Sequence, residues 1–210
     1  MEVARVLFAN QGFEGTSVRE IAKAADVNIA SVNYYFTNKE NLFAGVIRLG
    51  YVDCSVYLRA YYDTEQPKLD DLLVHLFNYF SLKSHDLVSF FKMMMSTQHS
   101  HHMASHGTED EMIGPPGGKV IVEAILKEVG ASVSEEDQHW ALKCLFSHVI
   151  HSSLMYNCCF KQNNIPYTTN DDIEKSIRRL CRVVIEDLKK IIIFLSCANS
   201  LSRRFSLQAF

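Results

Sequence analysis

The sequence predicts an all-α fold, and three observations predict it. Proline and glycine are sparse, 4 and 9 in 210 residues, so few positions force the chain out of helix. Alternating runs of the strand kind are scarce. Apolar residues recur instead at steps of three and four. Near the C-terminus Ile173, Ile177, Leu180, Val184, Leu188, Ile191 and Leu195 form one stripe, with Arg178, Arg182 and Lys189 off it.

The elements follow in order. Val3, Val6, Leu7 and Phe8 place a first helix over 3–10, with Gly12 as its stop signal. Ser17-Val18-Arg19-Glu20 is a capping box, in which the Ser17 hydroxyl accepts from the Glu20 amide and the Glu20 carboxylate reaches back. The helix it starts runs through Ile21, Ala22 and Ala25. Asp26-Val27-Asn28 interrupts it; Asp tolerates left-handed backbone, and Asn28 is a good N-cap for a short helix over Ile29–Phe36. Thr37-Asn38 ends that helix, and a long one starts near Lys39 and reaches about Tyr62.

Two short helices joined by a three-residue turn are the helix-turn-helix arrangement, which places its second helix in the major groove of DNA. The small Ala22 lets the two helices approach. Val18, Ile21, Val27 and Val32 are predicted to form their shared core.

Further helices are predicted over 67–82, 86–98 and 119–129, with a polar His- and Gly-rich loop over 99–118. Ser134 caps a helix to about Lys161, and Asn170 caps the last, to about Leu195. The Ser-rich tail is expected to fray. The division expected is a DNA-binding domain over 1–47, a helical ligand-binding and dimerisation domain over 48–196, and a tail over 197–210. In the penultimate helix Trp140, Ala141, Cys144, Leu145, Val149, Ser152, Ser153, Tyr156 and Phe160 make a broad apolar face. The last two helices, about 134–161 and 170–195, are expected to pack together and to leave surface for a second copy, giving a homodimer about a two-fold axis. The alternative is that these stripes serve only the monomer core.

Charge and composition narrow the function. The net charge is −3, so composition announces no nucleic-acid partner. Residues 1–48 balance Arg5, Arg19, Lys23, Lys39 and Arg48 against Glu2, Glu14, Glu20, Asp26 and Glu40. A DNA-binding head with no net charge must rely on a few placed groups. No apolar run approaches the roughly 18–20 residues of a membrane span. Arg5 and Glu2 stand where a signal peptide would need apolar residues, so a cytoplasmic location is expected. Six cysteines show no C-x-x-C spacing and read as small buried hydrophobes. No G-x-S-x-G, H-E-x-x-H or phosphate-cradling loop is present, so neither catalysis nor a cofactor is expected.

The stretch from Gly12-Phe13-Glu14-Gly15-Thr16-Ser17 to Ala22, followed by Val27-Asn28-Ile29-Ala30-Ser31-Val32-Asn33-Tyr34-Tyr35-Phe36-Thr37-Asn38-Lys39-Glu40-Asn41-Leu42-Phe43, resembles the N-terminal signature of the TetR family of bacterial repressors. It is similar in particular to members with an Asn-Tyr-Tyr/His-Phe recognition helix. The resemblance covers residues 4–47. It implies an all-helical homodimer whose heads bind a palindromic double-stranded DNA operator and are released by a small-molecule effector through the linking helix. Ile29, Ala30 and Ser31, at the start of the recognition helix, are candidates to read base edges. Asn33 stands where this family often has tyrosine. Tyr34 and Tyr35 are candidate phosphate contacts, with core packing the alternative for Tyr34. Lys39 matches a family lysine and would supply charge to the DNA backbone. Thr16, Ser17 and Arg19 would hold the opposite flank of the groove. Lys23 reads as merely solvated.

The effector site is less legible. Phe90, Met94 and Met95 would line a cavity that is adaptable because Met is soft, and His148, His151 and Tyr156 would add polar groups. His99, His101, His102 and His106 are weak metal candidates, which keeps a metal-sensing regulator open. A helical protein-interaction module that binds no DNA is the other alternative.

Overall fold

The computed structural model describes residues 1–83, 87–89, 114–130, 132–157 and 169–206. The described residues are helical with no strand among them, as expected. The helices are α1 (Glu2–Gly15), α2 (Val18–Ala24), α3 (Ile29–Phe36), α4 (Lys39–Glu65), α5 (Leu69–Leu82), α6 (Gly118–Val129), α7 (Glu135–Met155) and α8 (Asn170–Ser206). The chain divides into two compact units, Met1–Tyr57 with Leu82–Gly117, and Leu58–Ser81 with Gly118–Phe210.

In the first unit, α1 to α4 close around an aromatic-rich core. Ala4, Phe8, Phe13, Ile21, Ala22, Val32, Leu42, Phe43, Val46 and Ile47 are all buried in it. Phe43 meets Phe8 and Phe13 edge to face, at 5.0 and 5.2 Å between ring centroids. Such pairs add to the stabilisation that burial of each ring brings. Gly12 takes φ +74°, so the helix breaks where the stop signal stands, although one more turn carries it to Gly15. Thr16 then turns the corner, its side chain 1% exposed and its hydroxyl donating to the Gly12 carbonyl at 2.8 Å.

One member of the predicted shared core is not in it. Val18 packs partly buried, and Ile21 and Val32 are buried, but Val27 is 48% exposed. The reason lies in the turn. Asp26 adopts φ +52°, the Val27 amide donates to the Ala22 carbonyl, and the Asp26 amide donates to the Lys23 carbonyl. This is a Schellman end with Asp in the place usually taken by glycine, and it carries Val27 to the outside of the corner.

In the second unit the stripe of α8 does its work internally. Ile173, Ile177, Cys181, Val184, Ile185 and Leu188 are buried, as are Ala141, Leu142, Leu145, Val149 and Ser153 of α7. Arg178 Nη1 donates to Asp70 Oδ2 at 2.8 Å and to Asp71 Oδ1 at 2.7 Å, tying α8 to the first turn of α5. Arg59 grips Glu123 with two 2.7 Å bonds between α4 and α6, and this holds the Glu123 carboxyl below the ordinary range. What remains outside is Trp140, Val183, Ile193 and Phe194, all exposed. The last helix does not end near Leu195; it continues to Ser206, through much of the segment expected to fray. Cys54 and Cys181 are buried, and burial pushes each thiol up to about 12, as inert small hydrophobes should be.

Candidate nucleic-acid interface

The recognition helix is held at its ends rather than along its length. Asn28 Oδ1 accepts from the Ala30 amide at 2.8 Å and so caps α3 as its sequence predicts. Ser17 Oγ likewise accepts from the Glu20 amide at 3.1 Å and caps α2. The reciprocal half of that capping box does not form. Glu20 Oε1 accepts instead from Gln11 Nε2 at 2.8 Å, which ties α2 to α1. The competing donor comes from another helix, and no local spacing announces it.

At the far end of α3, Thr37 takes φ +66° and ψ −48°, and the Asn38 amide donates to the Phe36 carbonyl at 2.7 Å. This is the rare γ-turn, unusual for a β-branched residue and a small store of strain. Asn38 Oδ1 then accepts from the Asn41 amide and caps α4.

Between these ends α3 offers nearly everything it has to solvent. Ile29, Ala30, Ser31, Asn33, Tyr34 and Tyr35 are exposed, Val32 is buried and Phe36 is half-buried. Tyr34 and Tyr35 are 83% and 76% exposed, which removes core packing as the reason for Tyr34. Their rings meet edge to face at 5.3 Å. Two large, exposed aromatic side chains beside Ile29 and Ser31 form a surface suited to a partner.

Ser17 and Arg19, on the flank, are exposed. Thr16 is not. Its buried hydroxyl is committed to backbone carbonyls, so its side chain has no surface to give to DNA. Lys39 has partners within the head. Its ammonium donates to the Phe13 carbonyl at 2.9 Å and lies 4.2 Å over the Phe13 ring. Arg5 pairs with Glu2 one turn away. Arg19 and Lys23 of α2 remain exposed, so the charge of the head is presented in part by α2.

Comparison with known proteins agrees with this geometry. Residues 1–46 match the family described as bacterial regulatory proteins, tetR family. The match to that family is confined to this N-terminal segment. The same segment is 53% identical over 47 residues to the probable HTH-type transcriptional regulator YttP of Bacillus subtilis. That match spans 22% of this chain and 23% of YttP. Over most of its length the chain shares the fold of Thermus thermophilus FadR, a TetR family transcriptional repressor solved in complex with lauroyl-CoA. That likeness has a TM-score of 0.51 and 21% identity, and covers 88% of this chain and 91% of the other. The tetR-type head thus stands on residue identity, and the helical body on fold alone.

The body places its three described candidates separately. His148 Nε2 lies 3.0 Å from Ser176 Oγ, between α7 and α8, and burial, with His151 nearby, lowers the His148 pKa. His151 is exposed. Tyr156 meets Phe77 of α5 edge to face at 6.0 Å. Phe90, Met94, Met95, His99, His101, His102 and His106 lie outside the described residues. Among the described residues no three His, Cys, Asp or Glu side chains gather as a metal site would require. No described helix is long and apolar enough to cross a membrane.

Proposed function

We propose that the chain is a ligand-responsive transcriptional regulator, a repressor that binds a palindromic operator as a homodimer and is released by a small-molecule effector. One observation carries this reading. The tetR-type head exposes Ile29, Ser31, Asn33, Tyr34 and Tyr35 on a capped helix, and no core among the described residues takes them in. The N-terminal residues of α3 read base edges, with Ile29 and Ala30 against thymine methyls and Ser31 pairing with either kind of base. Tyr34, Tyr35, Ser17 and Arg19 contact phosphates and set register. A single head with five acidic and five basic residues over 1–48 binds weakly. Two heads spaced for two half-sites overcome that. The exposed Trp140 of α7 and Val183 and Phe194 of α8 support a second copy docking on the last two helices. The effector binds in the helical body. Lauroyl-CoA, the ligand in the complex of the Thermus protein, is a first probe for it.

Selection of bound duplexes from a random pool tests the reading. The expected result is an inverted repeat with two half-sites about one helical turn apart. Failure to enrich any DNA, with a folded protein, would leave a protein-interaction module in its place.

A further inference from the structure

The recognition helix poses a problem of orientation. α3 has eight residues, of which only Val32 is buried, with Phe36 half-buried against the same core. So little buried surface cannot by itself hold the tilt of a helix that must meet base edges closely. The ends must do it. The N-terminal end is fixed by the Asn28 cap and the α2 turn. The C-terminal end leads through the Thr37 γ-turn and the Asn38 cap directly to Lys39. Lys39 is half-buried, and its ammonium is bound to the Phe13 carbonyl at the end of α1 and stacked on the Phe13 ring. Phe13 is itself locked in the core by Phe8 and Phe43.

We infer that Lys39 is a positioning residue: it clamps the exit of the recognition helix to the end of α1, and does not serve mainly as a phosphate contact. The carbonyl lies near a helix C-terminus, where a cation is favoured, and its backbone partner is the Thr16 amide at a long 3.4 Å. The ring face adds a second attraction in a partly desolvated place. An ammonium so held, on a half-buried side chain, keeps only its remaining donors for a phosphate. The inference rests on the DNA-binding reading above, but the clamp is also measurable without DNA.

Lys39→Met keeps the stem and removes the donor. Its affinity for the selected operator should fall relative to nonspecific duplex by about tenfold, the scale of one mispositioned base contact. The dependence of nonspecific binding on salt should not change. In the free protein, amide resonances of Ser31 to Tyr35 should shift. Two results with DNA overturn the inference. One is a salt slope on nonspecific DNA reduced by about 0.9 per head, the mark of a lost phosphate contact. The other is a preserved operator preference with only a lower melting temperature. If Lys39→Met does not fold, Lys39→Gln, which retains a neutral donor, is measured in the same ways. If the native protein binds no DNA, the regulatory reading fails, and unmoved α3 amides in the variant would separately sink the clamp.

Discussion

α3 and α8 are both amphipathic helices, and they use that property in opposite ways. α8 buries its stripe in its own unit, with Ile177 fully inside and Val184 and Leu188 nearly so. α3 keeps Val32 for the core and turns Tyr34, Tyr35 and Ile29 outward. The first helix is held along its length by packing. The second is held at its ends by single hydrogen bonds, and its exposed side chains are free to fit a partner. A helix that stabilises and a helix that recognises therefore differ less in composition than in where their anchors lie.

The largest effect that sharpens this contrast is expected in α8. Ile177→Ala should cost about 2–5 kcal/mol in denaturant unfolding, because its side chain is fully enclosed. Tyr35→Ala removes a larger side chain, yet should change stability by no more than about 0.5 kcal/mol, as surface substitutions do. Its operator affinity should drop clearly in a gel-shift titration. A large stability loss at Tyr35 would break the comparison. Next comes Asn28→Ala, which deletes the cap of α3 and should cost about 1 kcal/mol. That loss should appear in hydrogen exchange as faster opening of the first turn of α3. Ser31→Ala should leave stability and salt dependence alone and alter only the preference among operator variants.

The smallest effect concerns pH. Burial holds the His148 pKa below its ordinary value, so the unfolded chain binds the proton more readily than the folded one. Stability should therefore fall as pH drops below about 6.5, the ordinary pKa of histidine. Above that value this dependence should vanish. His148→Gln should flatten the dependence in melting curves recorded between neutral and mildly acidic pH. An unchanged slope in the variant would assign the proton elsewhere, His75 being the next candidate, since burial lowers its pKa as well.

Features that depend on neighbours along the chain were set by local chemistry. The caps at Ser17 and Asn28, the left-handed Asp26, the break at Gly12 and the buried face of α8 all follow from chemistry within a few residues or from helical period. Those forces act inside one turn, so spacing alone reveals them. Packing between helices selected which partner a long side chain takes once they cross. It sent Glu20 to Gln11, turned Thr16 inward and Val27 outward, and bound Lys39 to the end of α1. It also left Tyr34 and Tyr35 without a core. Each of these outcomes depends on an approach between segments distant in sequence, and a hydrogen bond or a ring contact forms only if that approach closes to a few ångströms. The helix-turn-helix was therefore legible at once, while the division of its residues between holding the head and touching DNA was not.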